Sequence, residues 1–584
     1  MMRPIHRQSP FTSVLADPEA VSAVRDVAPE VLDSPVLKNL SEFPVGPVLS
    51  LILGDDARVS ELVTRLGAFE DTSPQPPEEP AIVPNPDYEQ RSAERGSAEV
   101  VAPSIATTDR RVEIVLRGPS HGNPFVDVEL TAEFSGNDRA IHVGGFYEGD
   151  GRFVLRFLAP TAGKWTYTTT STARTLDGIT GTVEVAAGTA PGPTFVADRF
   201  HFAHRDGTPY VPVGTTAYVW THQDTDLQRA TLETLESAPF NKIRMCLFPK
   251  HFMYNSNEPD RFVFERNAAG AWDTTRFDLD YFDELEHRLD QLDELGVVAD
   301  LILFHPYDRW GFSRLSKAAD DRYVTYIARR LSSFANVWWS MANEYDLLLT
   351  KTSEDWDRLA RLLQRNDHVG HPISIHNWVD LYDHSRDWVT HASIQRGDYE
   401  IGKRVDEWRR TWGKPVLVDE FGYEGNLDQG WGNLTTEEVV RRFWDGTIRG
   451  GYLTHGETYY ADDERIWWSK GGTLHGSSGP RLAFLRRIVA ESPTGRMDPL
   501  ISDWDVPWGG VDGEYVILYF GDRRPAFRDV DIPTGMRVRV DVIDTWNMTV
   551  DEQPGIHSGR VHVALPSRPY MAIRLRAVPE TELG

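Results

Sequence analysis

Hydrophobic and polar residues follow three different rhythms along this chain. In ARVSELVTRLGAFE, residues 57 to 70, Val59, Leu62, Val63, Leu66 and Phe69 recur at helical spacing on one face, which predicts a short amphipathic helix that must dock on something. The preceding PVGPVLSLILG is apolar but interrupted by Gly46 and Pro47, so it reads as a packing arm or a homo-oligomer contact rather than a membrane span. Six prolines then fall between Pro74 and Pro86, a composition that favours an extended, semi-rigid linker. From residue 105 the period becomes two. In VDVELTAEF, Val126, Val128, Leu130, Ala132 and Phe134 alternate with polar residues, and RFVLRFLAP, KWTYTTT and GTVEVAA repeat the pattern between turn residues, which predicts a β-sandwich. EYVILYFG, RVRVDVIDTW, RVHVALP and YMAIRLRAV predict a second one at the end of the chain.

Between these regions, apolar β-rich runs alternate with helical stretches, as in parallel βα units. Eight runs can be read: YVPVGTTAYVW, KIRMCLFP, GVVADLILFHPY, VWWSMANEY, PISIHNW, VTHASIQRG, KPVLVDEFGY and GGYLTHGETY. In FDELEHRLDQLDEL, Phe282, Leu285, Leu289, Leu292 and Leu295 share a helical face, and Gly296 follows as a stop. Eight repeats predict a TIM barrel. A doubly wound sheet competes, but it predicts a G-x-G-x-x-G turn after the first strand, and none is there. The expected organisation is an N-terminal arm and helix over 1–73, a Pro-rich linker over 74–104, a β-sandwich over 105–190, a barrel over 195–492 and a C-terminal β-sandwich over 500–580.

In such barrels the ligand site lies at the carboxyl ends of the strands. Most of the eight runs end in residues that a core would not want: Tyr218, Arg244, His305 with Asp308, Asn343 with Glu344, His376 with Asn377, Gln395 with Arg396, Asp419 with Glu420, and His455 with Glu457. Glu344 and Glu420, on the fourth and seventh runs, supply the two carboxyl groups that glycoside hydrolysis needs, one to protonate the leaving oxygen and one to attack or to activate water. A lone strand-end glutamate is usually a solvated charge; the pair carries the signal. Arg244 also reads as an interior ion-pair partner, and the histidines as satisfied core residues. Three histidines raise the question of zinc, but H-E-x-x-H is absent and the glutamates need no metal, so neither metal nor cofactor is expected.

Charge and composition exclude other classes. A formal net charge of −27 disfavours nucleic acid and anionic lipid, no stretch is apolar enough to span a membrane, and the single cysteine, Cys246, rules out an internal disulfide framework. The N-terminus has no continuous apolar signal region, so a cytoplasmic location is expected. No G-x-S-x-G is present to support an esterase, and SKGGTLHGSSGP reads as a strand-to-helix connection rather than a phosphate cradle.

An apolar fourth strand ending in Asn-Glu, and a seventh, VLVDEFG, ending in Glu, resemble clan A retaining glycoside hydrolases. FHPYDRWGF, ANEYD and VDEFGYEG more narrowly resemble apiosidase-like bacterial barrels flanked by an N-terminal β-sandwich and a C-terminal β-domain, over residues 105 to 584. The resemblance implies a carbohydrate substrate and exo action, with Glu344 as acid/base, Glu420 as nucleophile, Asn343 on the sugar 2-hydroxyl and Arg244 supporting the nucleophile. Many relatives offer a Trp from strand eight, but GGYLTHGETYY has none. Trp467 and Trp468, in the loop that follows, are the expected replacements as a stacking face. Tyr218, His305, Trp310, His376, Gln395, Tyr423, His455 and Glu457 complete the expected substrate-binding set. The function read from the chain is a retaining exo-glycosidase acting on a short oligosaccharide or glycoside, with an inverting glycosidase or a non-catalytic carbohydrate-binding protein as alternatives.

Overall fold

The computed structural model describes residues 3–35, 37–73, 78–460, 466–500 and 505–579. Residues 74–77 of the expected linker, 501–504 and 580 of the expected C-terminal sandwich, and 1, 2 and 36 of the expected arm lie outside the described residues. The chain forms two compact units, one of Met1–Thr194, Cys246–Glu294 and Ala299–Val389, the other of Phe195–Met245, Leu295–Val298 and Thr390–Gly584.

The first unit begins with helices Phe11–Leu15, Pro18–Val27, Pro29–Asp33, Leu37–Leu40, Val45–Leu53 and Asp56–Leu66. Phe11, Val14, Val24, Val48, Leu49, Val59 and Leu62 meet in their common core. The run expected as an interrupted arm is itself a helix, Val45–Leu53. Gly46 and Pro47 fall in its first turn, where a missing N–H costs no intrahelical bond. Val59, Leu62 and Leu66 are buried on the last helix, while Phe69 lies beyond its end.

Two sheets follow, one ordering Glu99–Val101, Val112–Arg117, Arg152–Phe157 and Phe146–Tyr147, the other Ile105–Thr107, Thr180–Ala186, Gly163–Ser171, Leu130–Gly136 and Arg139–Gly144. Leu116, Phe134, Phe157 and Trp165 share their core. Two local expectations change. Glu99–Val101, inside the expected linker, pairs antiparallel with Val115–Arg117. In VDVELTAEF the strand starts only at Leu130, because Pro124 opens a helical turn, Pro124–Asp127, and the Asp127 carboxylate accepts the Asn123 N–H at 2.8 Å.

The eight expected barrel strands are Gly214–Thr216 (β1), Lys242–Cys246 (β2), Val298–Phe304 (β3), Val337–Ala342 (β4), Ile373–Ser374 (β5), Ala392–Gln395 (β6), Val416–Glu420 (β7) and Tyr452–His455 (β8). They form one eight-stranded sheet in the order β5-β4-β3-β2-β1-β8-β7-β6. The first and last strands are parallel neighbours, with Gly214 opposite Thr454 and Thr215 opposite His455, which is the closure that separates a barrel from an open doubly wound sheet. β4 is buried along its whole length, so VWWSMA carries no alternation. The Leu279–Glu294 helix buries Phe282, Leu285, Leu289 and Leu292, and Gly296 after it takes φ +69.

In the second unit, strands Asp498–Pro499, Trp508–Val511, Tyr515–Tyr519, Met571–Ala577, Val538–Asp544 and Thr549–Glu552 form a sheet in that order, with Phe527–Asp531 paired to Arg560–Ala564. Leu518, Val530, Val540, Val563 and Ile573 pack in one core. No helix among the described residues is long and apolar enough to cross a membrane.

Candidate active site

Two groups of polar residues stand at strand ends, one in each unit. In the first unit the chain leaves β4 through Asn343, whose N–H donates to the Phe304 carbonyl at 2.9 Å, and then turns sharply at Glu344, with φ 51 and ψ 56. A left-handed glutamate costs roughly 1–2 kcal/mol, so its surroundings must hold it there. They do so on both sides. The Leu347 N–H returns to the Glu344 carbonyl, and the Tyr345 N–H donates to the carbonyl of His376 after β5, both at 2.9 Å. The buried carboxylate of Asp346 accepts the N–H groups of Trp378, Val379 and Asp380 at 2.6, 2.8 and 2.9 Å. Burial pushes the Asp346 carboxyl up to about 6 against the pull of these three donors. The corner leaves Glu344 only 5 % exposed, with the Tyr307 hydroxyl donating to its Oε2.

His305, at the end of β3, donates from Nε2 to the Phe248 carbonyl at 3.1 Å. Burial, and then the charge of Lys250, push it down to about 4, so it is neutral near pH 7. His376 is fully buried. Trp310 is partly exposed, and its indole N–H donates to Glu258 at 3.0 Å.

In the second unit, β7 ends on Glu420, which is 8 % exposed. The Tyr218 hydroxyl donates to Glu420 Oε1, and the Arg244 guanidinium reaches the same oxygen at 3.2 Å. Burial and then the Glu420 charge drive the phenols of both Tyr218 and Tyr423 far above their ordinary value, which places Tyr423 beside the same carboxylate. The Arg244 guanidinium and the Tyr218 phenol thus both direct donors at one carboxylate oxygen. Just before it, Asp419 is fully buried and accepts Lys242 Nζ at 2.8 Å and the hydroxyls of Thr454 and Ser393, each at 2.6 Å. Both acids can turn inward because β7 bulges: Ile394 pairs with Val418 and Gln395 with Glu420, which leaves Asp419 as the extra residue.

Trp468 lies at an edge-on 5.6 Å from Tyr218 and 5.1 Å from Trp431, and Tyr423 is 6.0 Å from both tryptophans. These four rings make an aromatic wall near Glu420. Trp467 and Trp468 belong to a short helix, Trp467–Lys470, rather than to the expected loop.

His455 and Glu457 are occupied by other parts of the fold. His455 stacks on Phe240 at 4.8 Å, and its Nδ1 lies 3.3 Å from the Thr215 hydroxyl; burial pushes it down to about 4. Glu457 accepts the N–H groups of His475 and Gly476 at 2.5 and 2.8 Å, and burial pushes it up to about 7. Glu424 alongside accepts the Ser477 N–H at 2.9 Å and the Thr436 hydroxyl at 2.5 Å. Glu424, His455 and Glu457 have ligand atoms close enough for a cation. What the two carboxylates hold, however, is the backbone of residues 475–478, where the Ser478–Ala490 helix begins.

The sequence pattern did not single out Tyr307, Trp431 or the structural part played by Asp346. Tyr307 stands in the quoted FHPYDRWGF, two residues beyond His305, and its place after a strand end was the available signal. Nothing local marks Asp346, whose partners lie more than thirty residues away.

The apiosidase-like catalytic domain family matches residues 197–478, and two domain families of unknown function, DUF5060 and DUF5605, match 108–172 and 504–576. A crystal structure of a Bacteroides vulgatus ATCC 8482 protein assigned as a glycoside hydrolase is 37% identical, with a TM-score of 0.76, over 81% of this chain and 99% of that one. The chain belongs to the apiosidase-like glycoside hydrolases. This glycosidase also shares its fold with a glycoside hydrolase family 5 structure from the same organism, at 15% identity and a TM-score of 0.54, over 68% of this chain and 96% of that one. No match was found among curated protein sequences.

Proposed function

We propose that this apiosidase-like glycosidase removes a terminal sugar from a short oligosaccharide or glycoside with retention of configuration. Glu420 is the nucleophile and Glu344 the acid/base. The observation that carries the reading is Glu420 Oε1, to which Tyr218 and Arg244 both direct donors. In the first step Glu420 bonds to the anomeric carbon while the glycosidic C–O bond breaks, and the Glu344 proton goes to the leaving oxygen. In the second, Glu344 takes a proton from water, whose oxygen attacks the anomeric carbon; the ester bond breaks and Glu420 returns as carboxylate. Asn343 takes the sugar 2-hydroxyl. His305, His376, Gln395 and Trp310 contribute polar contacts, and Tyr218, Tyr423 and Trp468 an aromatic face. His455 and Glu457 act through the loop that Glu457 holds. The β-sheets that precede and follow the barrel in the chain are β-sandwich domains.

The matched family makes an apioside the first substrate to try. The experiment is a panel of aryl glucoside, galactoside, xyloside, arabinofuranoside and apioside, with NMR of the first product anomer on any hit. Retention, with Glu344→Gln and Glu420→Gln each losing at least about a hundredfold in turnover, supports the proposal. Inversion transfers Glu420 to the base role. Binding without turnover, unchanged in both variants, identifies a carbohydrate-binding protein instead.

A further inference from the structure

The family matches begin at residue 108, so the helical segment over residues 3–73 lies outside them. This segment nevertheless reaches the strand-end loops of the first unit. The Arg7 guanidinium pairs with the Asp380 carboxylate, and the Ser50 hydroxyl donates to its other oxygen at 2.5 Å. The Gly46 N–H donates to the Arg7 carbonyl at 2.9 Å, which draws the Val45–Leu53 helix against the pair. A Cβ on Gly46 would lie 2.9 Å from Arg7 Nε and 3.2 Å from Asp380 Oδ2, so any larger residue there would press on the pair itself. Beside it the Phe43 ring packs on half-buried Trp378, with centroids 5.6 Å apart.

The loop gripped in this way is the one whose three N–H groups converge on Asp346. Asp346 in turn lies two residues from Glu344, whose left-handed turn holds only if the following residues are fixed. An unbroken series of contacts therefore runs from Arg7 and Ser50 through Asp380 and the 378–380 backbone to Asp346 and the Glu344 corner.

We propose that the N-terminal helical segment is a positioning element for Glu344, acting through the Arg7–Asp380–Ser50 contact, and that Trp378, seated on Phe43, is held by the same segment. The claim rests on Glu344 as the acid/base. A misplaced acid slows departure of leaving groups that need protonation and spares those that do not, whereas general destabilisation slows both.

The test uses the full chain as Arg7→Ala, Arg7→Lys, Ser50→Ala and the wild type, with melting temperatures to confirm folding. Hydrogen exchange is followed at residues 344–348 and 376–382, with the 56–66 helix as the internal control. The kcat/KM, which reports the step that expels the leaving group, is compared for the phenyl and 2,4-dinitrophenyl forms of the sugar selected by the panel, and Glu344→Gln is run in parallel. Arg7→Ala is expected to speed exchange in both segments and to lower kcat/KM on the phenyl glycoside by about fivefold, the scale of one part-exposed ion pair, with less than about twofold on the dinitrophenyl one. Arg7→Lys should recover part of the loss. Unchanged exchange in Arg7→Ala and Ser50→Ala, or equal losses on the two leaving groups, overturns the inference. If Glu344→Gln keeps full activity, the acid/base reading fails, while the exchange result still decides whether the contacts are coupled.

Discussion

Lys242 and Asp419 form an ion pair with no exposed surface at the strand end that carries Glu420, and removing either partner should be costly. The carboxylate also accepts the Thr454 and Ser393 hydroxyls, so one anion satisfies an ammonium and two hydroxyls contributed by β2, β8 and β6. Lys242→Met leaves an anion with two neutral donors; Asp419→Asn leaves a buried cation facing an amide. Breaking one side of such a pair costs about 3–5 kcal/mol. The double variant leaves neither charge, so its cost should fall short of the sum of the single costs by at least about 2 kcal/mol. The assay is urea unfolding of the wild type, both singles and the double, followed by tryptophan fluorescence and by circular dichroism. If the two losses add within about 0.5 kcal/mol, the pair is not coupled and the account of the barrel interior is wrong.

Tyr218→Phe removes one donor to Glu420 and should lower kcat/KM about 10- to 150-fold, as expected for a hydrogen bond to a charged group worth about 1.5–3 kcal/mol; a change under about threefold would contradict the role given to the phenol. His305 and His455 are both neutral and buried, with values near 4 in the fold against about 6.5 in the unfolded chain. As pH falls through 6.5 the unfolded chain takes up these protons first, so stability present above pH 6.5 is lost down to about pH 4. The loss is about 3 kcal/mol per histidine, seen as falling melting temperatures between pH 7.5 and 4.5 and a shallower fall in His455→Gln. Glu286→Gln leaves Arg156 and Arg330, both bonded to this buried carboxylate, without their shared anion. It should cost about 3–5 kcal/mol in urea unfolding, and a loss under about 1 kcal/mol would show that the other acids nearby suffice.

The barrel was legible because its strands are apolar runs that stop on polar residues, and Glu344 and Glu420 stood out as candidates because each closes such a run. What stayed hidden depends on partners far away in sequence. The bulge that turns Asp419 inward does not show in VDE, since it is a register relation with Ile394 and Gln395 on another strand. Asp346 looks like one more acid after Glu344 until the 378–380 backbone is in place. Period two misplaced Val126, because Pro124 starts a helical turn that alternation cannot reveal. Gly46 and Pro47 suggested a break, although a first helical turn accommodates both. Only two residues of PISIHNW pair as β5, which the length of its apolar run does not indicate.

The central claim is a covalent bond at Glu420. The most direct measurement is peptide mass spectrometry of wild-type enzyme acid-quenched during turnover of a 2,4-dinitrophenyl 2-deoxy-2-fluoro glycoside of the sugar found in the panel. The account predicts one fluoroglycosyl ester on the peptide containing Glu420, absent from Glu420→Gln. Active turnover with that peptide unmodified, or with the label on Glu344, would contradict it.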